Sequence, residues 1–193
     1  SRLIYEPLVS VDNAELVPRP SLATRWEEAD DGLSWTIHLR TDVSWHDGMP
    51  LSAEDVVFTY RSVMDPTVGS PYRDPYQRHL SSVEVVDHHT VRFRLKEPYA
   101  TFLTDMVLGI VPSHTREIVG TGPFRLMGRT GGRRLDLKRA SGWWGGRAGV
   151  ENIVVRTVTD EGTRLLALLG GSADLSQNGI SPTLTTVLED DDR

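Results

Sequence analysis

Between Trp35 and Arg40 apolar and polar residues alternate singly, with Trp35, Ile37 and Leu39 set against Thr36, His38 and Arg40. A period of two marks a strand with one buried face, which places His38 on the outer side. "HDG" at 46–48 then supplies a turn, because Asp and Gly tolerate the backbone angles of tight turns. From Ser52 the period changes. Ser52 is a good N-cap with Asp55 at the third helical position, and Val56, Val57, Tyr60, Val63 and Met64 recur at helical spacing until Asp65-Pro66 stops the run. Residues 83–96 read as a hairpin, in which "VEVVD" leads into the turn "DHHT" and "VRFRLK" returns with Val91, Phe93 and Leu95 on one face. A short helix is expected from Thr101 to Leu108. The stretch "DPTVGSPYRDPYQRHL", rich in Pro and Tyr, reads as a long irregular connection of the kind that often carries binding groups.

The second half repeats the mixture without a regular βαβ rhythm. "FRLMGR" and "RRLDLKR" flank Gly131-Gly132 as a hairpin, "SGWWGGR" follows, and "NIVVRTV" is a strand. Asp160 is placed to cap a helix carrying Leu165, Leu166, Leu168 and Leu169, which gives way at Gly170-Gly171 to a short strand "ADLS". Pro182 opens a last helix through Leu188. Pattern alone therefore points to the α+β class. No internal repeat is present.

Charge and composition narrow the partners. The chain has 193 residues, a net charge of -6, and 21 basic residues scattered apart from Arg133 and Arg134, so no face is built for phosphate contacts and nucleic acid is excluded as an expected partner. Absence of cysteine removes disulfides, thiolate metal sites and cysteine nucleophiles. No apolar run approaches the ~20 residues that span a bilayer. Residues 1–20 hold no charged start, apolar middle and cleavage site, and both ends read as cuts through a longer polypeptide.

Chemistry is sparse. His46 and Asp47 could form a general base with its orienting carboxylate, and with His38 they define a rival reading as a metal-dependent hydrolase. Adjacent side chains on a turn usually diverge, however, and no HExxH-like second pair lies nearby, so a turn is the preferred account. His88 and His89 sit at a solvated hairpin turn, and His114 has no spaced partner. No serine lies in a GxSxG elbow, and "GTGPF" and "GGR" lack the glycine order that cradles phosphate. Neither a catalytic residue, a metal ligand nor a cofactor is expected. Aromatics are more suggestive: Tyr72 and Tyr76 lie in the Pro-rich connection, and Trp143-Trp144 lie between glycines. For the paired tryptophans, anchorage of a loop onto the core is preferred over ligand contact. The polar run "SQNG" at 176–179 follows a short apolar segment and would sit at a sheet end, where ligands commonly bind.

Taken together, "LIYEPLV", "LVPRPSLATRWEEADDGLSWTIHLRTDVSWHDGMPLSAEDVVFTYRSVMDP", "VRFRLKEPYATFL", "VGTGPFRL", "GWWGGRAGVENIVVRTV" and "LLALLGGSADL" resemble, in order, the landmarks of bacterial extracellular solute-binding proteins of family 5. These serve ABC importers of oligopeptides, dipeptides, nickel and related solutes. The resemblance spans nearly the whole chain. It implies a two-lobed binding protein of the periplasmic class II, cluster C type with a mixed sheet, of which this chain would hold a β-rich subdomain at 1–115 and a continuation of the first lobe at 116–193. The second lobe would be absent. A helical segment usual between "VPSHT" and "VGTGPF" is reduced here to residues 116–118, and the signal peptide, lipid-anchoring cysteine and first strand of many members are missing.

Such proteins are not enzymes. They enclose a solute between lobes by hinge closure and present the closed form to a permease. The resemblance implies Tyr76, with Tyr72 in the same connection, as an aromatic directed at the ligand, and Gln177, Asn178 and Gly179 where the chain leaves the lobe beside the cleft. It further implies an oligopeptide or other small solute as ligand, ABC permease subunits as partners, a monomer, no cofactor, and a periplasmic or extracellular, cell-surface-attached location. A sensor module on the same scaffold is the second rival.

Overall fold

A computed structural model describes residues 2–12, 14–177 and 181. They divide into two compact units, one of residues 1–127 with 137–153, the other of residues 128–136 with 154–193. The first unit contains a two-stranded ribbon of β1 (Val9–Val11) and β2 (Pro18–Pro20) and a four-stranded antiparallel sheet. That sheet is formed by β3 (Ala23–Glu28), β4 (Ser34–Leu39), β5 (Leu80–Asp87) and β6 (Thr90–Leu95) in the order β3-β4-β6-β5. The alternation in β4 survives intact: Trp35, Ile37 and Leu39 are buried, whereas Ser34, Thr36 and His38 are half-buried on the outer side. Val91 and Phe93 of β6 pair in register with Ile37 and Trp35 and extend the same apolar face.

Helix α1 (Ala53–Met64) covers that face with Val56, Val57 and Tyr60. Aromatic contacts continue through the core, from Trp35 to Phe102 at 6.0 Å, Phe102 to Phe93 at 5.6 Å, Phe93 to Tyr60 at 4.9 Å and Tyr60 to Tyr76 at 5.1 Å between ring centroids. The last three are edge-to-face, a geometry that adds to the burial of their area and fixes relative orientation. The run ends on α2 (Arg73–His79), which stands inside the stretch expected to be irregular. Pro75 is tolerated there because it lies in the first turn, where its missing N–H has no intrahelical partner to lose.

The motif around "WHDG" is explained by one side chain. Asp55 is 2% exposed. Its Oδ2 accepts from the Ser52 backbone N–H at 3.0 Å and from Trp45 Nε1–H at 3.2 Å, and its Oδ1 accepts from the Ser113 N–H and hydroxyl at 2.8 and 2.7 Å. The same carboxylate thus caps the helix, fixes the turn tryptophan and ties down Ser113, which gives the Trp45–Asp55 spacing its physical reason.

Elsewhere the expected elements are trimmed. The helix expected at 101–108 is α3 (Phe102–Asp105), one turn long. Before β1 the chain is held by two segments: the carbonyls of Leu3 and Ile4 receive the N–H groups of Phe124 and Gly122, and the Glu6 carbonyl receives the N–H of Ile110. In the second half β7 (Phe124–Thr130), β8 (Arg134–Arg139) and β9 (Asn152–Arg156) pair in that order. Asp160 caps α4 (Glu161–Leu169), accepting from the Thr163 N–H at 2.7 Å. "ADLS" is not a strand. The N–H groups of Ser172 and Ala173 turn back to the Ala167 carbonyl past Gly171 at φ +67°, leaving Leu175 83% exposed. The helix expected from Pro182 to Leu188 lies outside the described residues.

Candidate functional site

The first unit contains a cavity of about 640 Å³ whose walls come from the N-terminal segment, α2, α3 and residues 105–109. Its lining is aromatic, with Tyr5, Tyr72, Tyr76, Tyr99, Phe102 and His79 contributing rings and Arg2 and Arg78 contributing cations. A concave surface of this size, mostly apolar with a few charged groups, suits a small-molecule or peptide ligand.

Each ring is held differently. Tyr76 is 8% exposed, its hydroxyl donates to the Asp105 carbonyl at 2.5 Å, and burial pushes its phenol up to about 12. It is therefore a rigid wall. Tyr72, one turn earlier at the N-terminus of α2, is 55% exposed and presents its ring freely. At the end of α2, His79 stacks on Tyr99, with ring centroids 3.9 Å apart and planes 2° from parallel. Tyr99 is fixed in turn by donating to Asp105 Oδ2 at 2.5 Å. Asp105 thus spends its side chain on one tyrosine and its carbonyl on another, and serves as a brace for the lining. Arg2 and Arg78 make no ion pair among the described residues, so the mouth has positive charge to offer.

Tyr72 and Tyr76, both singled out in the Pro-rich stretch, line the same cavity. Gln177 is exposed in the second unit, and Asn178 and Gly179 lie outside the described residues. Sequence reasoning missed Tyr5, His79 and Tyr99. For Tyr99 a signal existed, since "EPYATF" places it three residues before the buried Phe102, on the same side of one turn. Tyr5 gave none, because its approach to the cavity depends on the pairing of Pro7 with Gly109, a hundred residues away.

The rival trio does not assemble. His46 faces the glycine strap: its Nε2–H donates to the Gly122 carbonyl at 2.8 Å, its Nδ1 accepts from Gly120 N–H at 3.3 Å, and burial pushes its imidazole down. Those glycines are required, since a Cβ at Gly120 would lie 1.9 Å from the Ile4 carbonyl oxygen. Asp47 turns the other way and pairs with His114 at 2.7 Å, a partner that sequence spacing concealed. His38 stays on β4, between Glu27 at 3.4 Å and Thr90 at 3.4 Å. Among the described residues no group of three or more His, Asp or Glu is arranged to hold a metal. Trp143 and Trp144 anchor their loop, donating to the two carboxylate oxygens of Glu6 at 3.1 and 2.7 Å.

Relatives give this geometry a context. The peptide transport periplasmic protein SapA of Salmonella typhimurium is 32% identical across 98% of this chain and 40% of its own length. Heme-binding protein A of Haemophilus influenzae is 30% identical across 91% and 38%. Among solved structures, NikZ from Campylobacter jejuni in complex with Ni(L-His) superposes with a TM-score of 0.88 at 26% identity, covering 99% of this chain and 40% of that one. The ABC transporter-associated periplasmic binding protein DppA from Helicobacter pylori, in complex with peptide STSA, superposes at 0.86 with 28% identity, covering 98% and 43%. The chain thus spans about two fifths of the length of these relatives. The family described as bacterial extracellular solute-binding proteins, family 5 Middle, matches residues 17–193, and the chain belongs to it.

Proposed function

We propose that these residues form the first-lobe part, a β-rich subdomain at 1–115 and its continuation at 116–193, of the substrate-binding component of an ABC importer. The component captures a peptide-like solute and delivers it to the permease from a periplasmic or extracellular, cell-surface-attached position, as a monomer. It is a binder and not an enzyme. The observation that carries the reading is the aromatic cavity beside α2, in a chain whose relatives include a peptide transport periplasmic protein and a structure with bound peptide. Rings in the wall supply contact area at low entropy cost, and free arginines at the mouth suit an anionic group such as a peptide carboxylate. Tyr72 and Tyr76 are the residues assigned to ligand contact here, with Gln177, Asn178 and Gly179 at the exit of the lobe.

One wall alone leaves much of a ligand in water. The 193-residue chain is therefore expected to bind short peptides with a Kd in the millimolar range, worth about 4 kcal/mol, far below what two closing lobes would reach. Saturation-transfer NMR against a mixture of di- to pentapeptides tests this. Signals from peptide side chains that vanish in the Tyr72→Ala variant are expected; transfer unaffected by Tyr72→Ala and Tyr76→Ala contradicts the site. Isothermal titration giving micromolar or tighter binding would contradict the assignment of this chain to one wall.

A further inference from the structure

We propose that Glu6 is the positioning residue of the cavity, a joint that fixes the wall at residues 5–7 to the glycine-rich turn at 141–146 by holding two indoles on one carboxylate. Glu6 lies between Tyr5 and Pro7, which both line the cavity, and is itself 6% exposed. Its backbone is already committed to the same wall. The Ile110 N–H donates to the Glu6 carbonyl at 2.9 Å, and Pro7 pairs with Gly109, another lining residue.

The side chain points the other way. Trp143 donates to Oε1 at 3.1 Å and Trp144 to Oε2 at 2.7 Å, so each carboxylate oxygen has its own indole and the group cannot rotate without losing one. Arg40 packs its guanidinium 4.2 Å from the Trp144 ring centre, which holds that ring in place and brings positive charge near the carboxylate. Burial holds the Glu6 carboxyl above its usual range, against the bonds from Trp144 and Trp143 and the charge of Arg40. A buried carboxylate lacking a direct ion pair is costly, and an apolar residue would fill this space at less expense. What the carboxylate provides is direction.

The turn is shaped for this purpose. A Cβ at Gly145 would lie 2.4 Å from the Trp143 ring, and Gly142 and Gly146 adopt φ of +79° and +103°, values that side-chain-bearing residues rarely reach. "SGWWGG" thus folds so that adjacent tryptophans, which normally diverge, converge on one acid. Movement of the turn is then transmitted to Tyr5 and Pro7, and the turn becomes a remote control on the width of the cavity.

The functional consequence rests on the cavity being the solute site, but the joint can be tested without a solute. Hydrogen exchange is followed in the full chain at the Ile110 amide, bonded to Glu6, and at the Leu95 amide, bonded to the Leu33 carbonyl in the sheet at 2.8 Å. Glu6→Gln keeps one good acceptor for two donors, and Gly145→Ala displaces Trp143 while leaving every hydrogen-bonding group in place. Each is expected to speed exchange at Ile110 about tenfold while Leu95 stays within about twofold. Adding Trp144→Phe to Glu6→Gln is expected to produce less than the product of the two separate changes. Unchanged exchange at Ile110 in both variants, or equal acceleration at Leu95, would overturn the proposal. If Glu6→Gln does not fold, Trp144→Phe carries the same comparison. Failure of peptides to contact the cavity would sink the solute reading and leave the joint standing.

Discussion

The Trp45–Asp55 joint and the cavity beside α2 lie in the same unit and use polar groups in opposite ways. At the joint, Asp55 receives five donors from three segments and His46 has a partner on both ring nitrogens, so no capacity remains for a ligand. At the cavity, Tyr72 is exposed, Arg2 and Arg78 make no ion pair among the described residues, and Tyr76 and Tyr99 are braced by Asp105 as parts of the wall. Satisfied polar networks specify a fold; unspent groups on a rigid wall bind. The most conspicuous motif of the chain therefore marks its scaffold, and the proposed site lies where the motif is weakest.

The largest expected effect sharpens that contrast. Asp55→Ala leaves the buried Trp45 indole without its acceptor and releases the cap and Ser113, and is expected to cost about 3 kcal/mol or more in urea unfolding. Tyr72→Ala should stay within about 0.5 kcal/mol in the same assay while weakening peptide contact. A reversed order would dissolve the distinction between joint and site. Next, Gly120→Ala forces a Cβ toward the Ile4 carbonyl and is expected to cost about 2 kcal/mol through displacement of the strap, read in the same way.

Tyr76→Phe removes the hydroxyl from Asp105 at an expected cost of about 1 kcal/mol. It also has a pH signature. Because the folded phenol is raised to about 12, wild-type stability is fully present below pH 10 and is lost as pH rises through about 12; in Tyr76→Phe that part of the loss should vanish. The smallest effect concerns His46, whose imidazole is lowered by burial and by Arg125 against the opposing pull of the Gly122 carbonyl and Asp47. Its contribution is present above pH 6.5 and declines as pH falls through the lowered value, so His46→Gln should flatten the stability profile on the acid side of neutrality. A profile unchanged by the substitution would contradict the neutral, strap-bound imidazole.

Local patterns were legible in the sequence because their causes are local. The alternation of Trp35, Ile37 and Leu39, the Ser52–Asp55 cap and the Asp160 cap all appear where periodicity and capping residues placed them. Helix α2 was obscured by Pro75 and by Pro66, Gly69 and Pro71 just before it, which read as irregular although Pro75 falls in a first turn. Tyr72 and Tyr76 could be singled out by type and by resemblance. The rest of the cavity could not, since Tyr5, Tyr99 and Gly109 meet only through long-range pairing. The same holds for His114 with Asp47 and for both tryptophans with Glu6, contacts across 67, 137 and 138 positions.

The most direct test is an amide NMR titration of the chain with the tetrapeptide Ser-Thr-Ser-Ala, carried to about 10 mM so that millimolar binding approaches saturation. The account predicts shifts concentrated at Tyr72, Tyr76, Tyr99 and Gly109, with Trp45 to Asp55 unmoved. Shifts centred on His46 and Asp47, or none at the cavity at the highest concentration, would contradict it.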